Sequence, residues 1–239
     1  MRKIKIAVIG CGRIFDKHKT AIEKLNQQFE IESVCDLALD KIKKKIFLKK
    51  IKMYNSIDKL CKNSKANLIV ILTPSGLHFN HITKVSNYFK NIIVEKPMVM
   101  NTDQSKKITG ICNKKNINLF IVKQNRYNPA IKKLKEAIDQ KRFGKIFLAT
   151  IRVRWSRSDK YFLLDKWRGT WKNDGGVLAN QASHHIDLLQ WLMGDLKSVF
   201  AKTLKVTKKT MASDTCLAIL NFKNGALGLV EATTATKPN

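Results

Sequence analysis

Two glycines one residue apart, Gly10-Cys11-Gly12, follow a short apolar run and lead into Arg13-Ile14-Phe15. In a strand–turn–helix setting the first glycine permits a tight turn. The second lets backbone N–H groups approach a pyrophosphate at the helix N-terminus. Phe15 stands where a third glycine would ease helix packing. Asp36 ends the next β-branched run. A carboxylate there accepts hydrogen bonds from ribose hydroxyls and repels a 2′-phosphate, which favours NAD over NADP. A helix-capping Asp is the plainer alternative, but strand, glycines and acid in register favour the cofactor.

Three further groups carry chemistry. Thr73-Pro74-Ser75-Gly76-Leu77-His78 follows an apolar run, where ligands gather at strand C-termini in open α/β sheets. A Pro/Gly turn with Ser75 as helix cap explains Pro74 and Ser75 but leaves His78 without a role. Glu95-Lys96-Pro97 ends another such run. A partly desolvated lysine beside a cationic nicotinamide loses its proton more easily, which suits it to exchange with a substrate hydroxyl. The third group runs from Asp174-Gly175-Gly176 to Asn180-Gln181-Ala182-Ser183-His184-His185-Ile186-Asp187. A helix starting near Asn180 would put Asn180, His184 and Asp187 on one face, with His184 able to pass a proton near neutral pH. Adjacent histidines with no suitably spaced third ligand give no zinc site.

These groups need elements to hold them. Strands are predicted over 3–9, 30–35, 67–72, 91–95 and 118–122, with helical spacing between them, as in Ile14-Ile22-Leu25, Ile42-Ile46-Leu48 and His78-Ile82-Val85-Phe89. Continuous apolar strands such as Leu68-Ile69-Val70-Ile71-Leu72 suit parallel pairing covered on both faces. The expected fold class is α/β: a doubly wound Rossmann sheet over 1–122, then an α+β domain with a mainly antiparallel open sheet over 123–239. The second half predicts a helix opening at Pro129, a strand over 145–155 and a helix over 181–193 stopped by Gly194. Two strands over 215–222 and 226–231 are joined by a Lys223-Asn224-Gly225 hairpin. Along the 145–155 strand, Arg152 and Arg154 share one face and Val153 and Trp155 the other. The chain ends at Thr236-Lys237-Pro238-Asn239, just after a strand, so the second domain is expected to be incomplete.

Composition narrows the class. The 239 residues are 44% hydrophobic, enough for a core, and carry a formal charge of +28. Only eight of the 46 basic residues are Arg, and the lysines are spread along the chain, which reads as solvated surface rather than a nucleic-acid-binding face. Five cysteines without a C-x-x-C pair argue against a disulfide framework and fit a reducing cytoplasm. No apolar run reaches the ~18–20 residues of a membrane span.

Taken together and in order, the Gly10–Ile14 turn, the Thr73–His78 loop, Glu95-Lys96-Pro97 and the stretch 180–187 resemble the Gfo/Idh/MocA oxidoreductases along essentially the whole chain. Within that family, Val153-Arg154-Trp155-Ser156-Arg157, Trp167-Arg168-Gly169-Thr170-Trp171 and residues 180–187 look most like NAD-dependent enzymes that oxidise C3 of a UDP-N-acetylhexosamine uronic acid for bacterial surface-polysaccharide synthesis. The resemblance implies that Lys96 and His184 transfer the proton. It implies that Gly10, Gly12, Arg13, Ile14, Asp36, Thr73, Ser75, His78, Glu95 and Lys96 line NAD, with Trp167 and Arg168 reaching it. Substrate contacts would come from Lys96, Asn180 and His184, with Arg154 and Arg157 for its anionic part. Many relatives carry Asp where this chain has Asn180, and a neutral amide cannot share the histidine's proton as a carboxylate could. A dehydrogenase of a free polyol, inositol or aldose and a non-catalytic NAD-binding relative are the alternatives. A homodimer or homotetramer is implied, with no nucleic-acid or membrane partner.

Overall fold

The computed structural model describes residues 3–43, 51–208 and 210–237. The chain divides into two compact units, Met1–Val122 and Lys123–Asn239.

The first unit alternates strands and helices: β1 (Ile4–Ile9), α1 (Phe15–Lys24), β2 (Phe29–Cys35), α2 (Leu39–Lys43), β3 (Lys52–Tyr54), α3 (Ile57–Asn63), β4 (Leu68–Ile71), α4 (His78–Val85), β5 (Asn91–Val94), α5 (Thr102–Lys115) and β6 (Asn118–Ile121). All pairs are parallel, in the order β3-β2-β1-β4-β5-β6. Strand order reverses between β1 and β4, which opens a crevice at their C-terminal ends. Alternate residues of one strand serve opposite faces. Ala7 and Ile9 pack with Ile69, Ile71, Ile82 and Ile108, whereas Ile6 and Val8 pack with Phe15, Val34 and Val70. That two-sided burial is why these strands read as unbroken apolar runs. Phe15, at the third-glycine position, is fully buried and anchors α1 on the second face. β3 was not among the predicted strands; three residues at a sheet edge are too few to show a period of two. Ile46 and Leu48, from the helical spacing predicted after Ile42, lie outside the described residues.

The second unit contains α6 (Pro129–Asp139), β7 (Leu148–Arg154), α7 (Asp159–Leu163), α8 (Gly176–Ala179), α9 (Ser183–Met193), β8 (Leu196–Leu204), β9 (Thr215–Phe222) and β10 (Leu227–Thr233). Its sheet runs β7-β10-β9-β8, antiparallel except for the parallel β7–β10 pair. Cys216, Ala218, Leu220, Phe222, Val230 and Ala232 form the inner face, with Leu189 and Met193 of α9 against it. The opposite face stays open, with Phe200 65%, Leu217 55%, Ile219 51% and Leu148 57% exposed. β8 was also unpredicted, because an edge strand exposed along nearly its whole length shows no buried alternation. Among the described residues no helix is long and apolar enough to cross a membrane.

The expected helix over 181–193 does not begin at Asn180. Asn180 closes α8, and α9 starts only at Ser183. Upstream, Gly175 and Gly176 both take positive φ where α8 begins. A Cβ on Gly176 would lie 2.5 Å from the Ser213 carbonyl oxygen, so only glycine lets this turn press against residue 213. Val177 N–H donates to that same carbonyl.

Candidate active site

In the first unit the turn after β1 is shaped as the glycines require. Gly10 has φ +91°, and a Cβ there would come within 2.9 Å of the Leu72 carbonyl carbon. Gly12 is different: it is exposed, and a Cβ on it would meet nothing within 4 Å. Open space at Gly12, beside the start of α1, is what a pyrophosphate needs. Asp36 sits at the end of β2, its Oδ2 accepting the Cys11 N–H at 2.7 Å and its Oδ1 the Ala38 N–H at 2.9 Å. Each carboxylate oxygen keeps a second acceptor site, enough for a ribose hydroxyl. Arg13 is exposed and Ile14 half-buried beside them. These residues fit a bound dinucleotide.

The loop after β4 is braced from behind. Thr73 Oγ1 lies 2.9 Å from His81 Nδ1, and Ser75 opens a single 3-10 turn leading into α4. The sequence predicts His78 against the cofactor, yet its ring is 1% exposed and lies between two backbone carbonyls. Its Nδ1 is 2.7 Å from the Pro97 oxygen and its Nε2 2.8 Å from the Thr73 oxygen. A neutral ring has one N–H and donates to only one of these carbonyls, so His78 fills the gap between the loop after β4 and the loop after β5 rather than facing a ligand. Burial lowers the pKa of His78, against the pull of both carbonyls and Glu95. Burial, with His78 and Lys84 nearby, pushes His81 down to about 4. His81 is therefore neutral at physiological pH.

Glu95 follows β5 and directly precedes Lys96. Its Oε1 lies 2.8 Å from His18 Nε2, and its Oε2 accepts the Lys96 N–H at 3.2 Å. Burial raises the Glu95 pKa, but His18 together with the Lys96 N–H and ammonium outweighs it and holds the carboxyl below its usual range. The Lys96–Pro97 peptide is cis. Lys96 is half-buried at the C-terminal end of the sheet, on the side where open α/β sheets bind ligands. Neither His18 nor His81 was singled out from sequence; the only signal was a histidine on each helix that follows a ligand-type loop.

In the second unit His184 lies on α9 with its Nε2 3.2 Å from Gln124 Nε2. Asn180 is not its helical neighbour. The Asn180 amide donates to Asp174, whose other oxygen accepts the Gly169 N–H at 2.6 Å. Asp187 is held by Arg126 rather than by histidine, through two hydrogen bonds of 2.7 Å, with Lys123 at 3.3 Å. Burial raises the Asp187 pKa, but Arg126 and Lys123 more than offset it, so the carboxyl sits below its usual range.

The predicted anion-binding arginines part company. Arg154 stays on the open face of the sheet, in a two-pronged pair with Glu231, which Arg152 also approaches at 3.7 Å. Arg157 belongs instead to a stack of rings and guanidinium groups. It lies 5.0 Å from the Trp155 ring and 4.9 Å from Tyr161. Arg168 lies 4.4 Å from that same Tyr161 ring and 4.7 Å from Trp167. The Arg168 side chain is 8% exposed and donates to Asp165 at 2.9 Å. The Arg157 Nε is buried with no hydrogen-bond acceptor among the described residues. One tyrosine thus carries two planar cations, answered among the described residues by the Asp165 carboxylate at Arg168, and Gln181 donates to its hydroxyl at 3.4 Å. Such a group favours an anion.

Comparison with known proteins identifies the family. Residues 4–123 match the oxidoreductase family's NAD-binding Rossmann fold, and residues 131–239 match the GFO/IDH/MocA C-terminal domain. The crystal structure of the WlbA dehydrogenase from Bordetella pertussis, in complex with NADH and UDP-GlcNAcA, superposes with a TM-score of 0.95 at 35% identity, covering 100% of this chain and 74% of that one. Myo-inositol 2-dehydrogenase of Thermotoga maritima is 25% identical over 235 residues, 95% of this chain and 68% of its own. An uncharacterized oxidoreductase of Schizosaccharomyces pombe is 28% identical over 209 residues, 84% of this chain, of whose length the match spans 55%. With both halves of the family's architecture matched in order, the chain belongs to the GFO/IDH/MocA oxidoreductases, and its first unit is their NAD-binding domain.

Proposed function

We propose that this protein oxidises a secondary alcohol of a sugar with NAD, the substrate being a UDP-N-acetylhexosaminuronate oxidised at C3 in surface-polysaccharide synthesis. The observation that carries this reading is the Arg157–Tyr161–Arg168 stack, an anion-seeking group in a chain 35% identical to a dehydrogenase crystallised with UDP-GlcNAcA. A uronate or a pyrophosphate suits guanidinium planes; Arg157 is assigned to the anionic part of the substrate, while Arg168 keeps its expected place beside NAD. NAD, when bound, supplies the hydride acceptor. The Gly10–Ile14 turn and Asp36 would hold its pyrophosphate and ribose, and Thr73 and Ser75 would flank it.

Lys96 and His184 are assigned to the hydroxyl proton: one takes it as the carbinol carbon loses hydride, and the other orients the hydroxyl. Asn180 is committed to Asp174 and contributes no proton, so the exchange falls to these two. The open apolar face of the second sheet supports assembly as a homodimer or homotetramer. The identity to myo-inositol 2-dehydrogenase keeps a free polyol as the second reading. Absorbance at 340 nm, followed with NAD and a panel of UDP-sugars and free polyols, decides between them. A rise confined to the UDP-hexosaminuronate is the expected result. A rise with inositol or an aldose would replace it by the second reading, and no rise with any of them would refute both.

A further inference from the structure

Thr73 lies just past β4, beside the turn that follows β1, and three of its groups are engaged. Its carbonyl oxygen lies 2.8 Å from His78 Nε2. Its hydroxyl lies 2.9 Å from Nδ1 of His81, a turn further along α4. Its methyl carbon lies 3.0 Å from where a Cβ on Gly10 would stand. Hydroxyl and methyl branch from one β-carbon, so a single torsion places both. With the hydroxyl on the His81 ring, the methyl lies on Gly10. A turn to the next staggered rotamer would break the hydrogen bond and carry the methyl away from the glycine. The ring is half-buried and neutral at physiological pH, so it acts as a hydrogen-bond partner and not as a charge.

A threonine at a cofactor loop invites the reading that its hydroxyl binds the cofactor. Here the hydroxyl is given to α4, and what faces the glycine turn is apolar. We propose that His81 is a positioning residue for NAD binding: by holding the Thr73 hydroxyl, it sets the Thr73 methyl group against the dinucleotide turn at Gly10. The methyl then backs the turn on the side away from the open space at Gly12. This rests on the reading that the Gly10–Ile14 turn holds NAD with Thr73 beside it, so the test includes a measurement made without cofactor.

The experiment pairs the Thr73 rotamer with NAD affinity, both on the full chain. Three-bond couplings from the Thr73 methyl carbon to its own backbone nitrogen and carbonyl carbon, measured by NMR without cofactor, should report one rotamer in the parent. In His81→Leu, Thr73 is released among the staggered wells and the couplings average. The NAD Kd then rises about threefold, because about one third of the molecules hold the methyl in place. His81→Gln, which keeps an amide to meet the hydroxyl, should retain the single rotamer and bind NAD more tightly than His81→Leu. Couplings in His81→Leu that still report one rotamer would overturn the proposal, and so would averaged couplings with an unchanged Kd. If His81→Leu does not fold, two changes at Thr73 decide. Thr73→Ser keeps the hydroxyl but loses the methyl, and should raise the Kd about fourfold, the contribution of about one buried methyl group. Thr73→Val keeps a methyl on Gly10 in about two of three rotamers, for a rise of about 1.5-fold. A larger loss in Thr73→Val than in Thr73→Ser would mark the hydroxyl as the cofactor's ligand and refute the proposal. A Thr73→Ala chain that binds NAD as tightly as the parent would defeat the placement of Thr73 beside NAD, and the proposal with it, even where the couplings show His81 fixing the rotamer.

Discussion

Gly10 and Gly12 look alike in sequence, and the structure predicts opposite consequences for replacing them. Gly10→Ala puts a methyl group 2.9 Å from the Leu72 carbonyl carbon and 3.0 Å from its oxygen, at φ +91°. A left-handed backbone costs an L-residue about 1–2 kcal/mol and forced overpacking about 1–3 kcal/mol, so the first unit should lose roughly 2–5 kcal/mol. Gly12→Ala meets nothing within 4 Å, so its fold should be untouched. Its methyl group would instead fill the space left for the pyrophosphate and raise the NAD Kd about 10- to 100-fold, equivalent to about 1.4–2.8 kcal/mol. All four tryptophans, Trp155, Trp167, Trp171 and Trp191, lie in the second unit, so their fluorescence does not report on this change. Hydrogen exchange of the β1 and β4 amides does, with every 1.4 kcal/mol appearing as about a tenfold faster rate. NAD affinity is read from NADH fluorescence in a competition titration. A Gly12→Ala protein that binds NAD as tightly as the parent would refute the placement of the pyrophosphate. A Gly10→Ala protein with unchanged exchange would refute the contact with Leu72.

Asp36→Ser should weaken NAD about tenfold while sparing NADP, because it removes the acceptor for the ribose hydroxyls and the repulsion of a 2′-phosphate; parallel titrations with the two cofactors measure the ratio. Tyr161→Leu removes the ring between Arg157 and Arg168 and, at about 0.5–1 kcal/mol for each of two cation–π contacts, should raise KM for the UDP-hexosaminuronate about five- to thirtyfold. Tyr161→Phe keeps the ring and should stay near the parent value, and equal effects of the two variants would argue against the stack. Asp187→Asn should cost the second unit about 1–2 kcal/mol at pH 7, measured by tryptophan fluorescence in urea. The Asp187 pKa lies lower in the fold than its ordinary 3.8, so its contribution is complete above that value and is lost as pH falls through the folded one. The parent and Asp187→Asn stabilities should therefore converge only in strong acid. A constant gap down to pH 2 would contradict the Arg126–Asp187 pairing.

What the sequence alone determined was whatever depends on neighbours. Unbroken apolar runs such as residues 68–72 marked buried parallel strands, because both faces of each strand are covered. The Gly10-Cys11-Gly12 spacing marked a turn that only glycine can make at its first position, and Asp36 fell at the end of the next strand. Alternation along β7 set Arg152 and Arg154 on one face before any pairing was known. Short or exposed edges escaped, since β3 has too few residues for a period and β8 buries almost none of its own. The tertiary structure decided the partners. His18 meets Glu95 across 77 positions and Arg126 meets Asp187 across 61, separations at which local spacing carries no information. It turned His78 inward between two carbonyls, committed Asn180 to Asp174 by breaking the helix ahead of Ser183, and separated Arg157 from Arg154. Residue type and spacing reveal which side chains are able to do chemistry. Which of them face a ligand and which brace the backbone is settled only when strand ends distant in sequence are packed side by side and every buried polar group must find a partner.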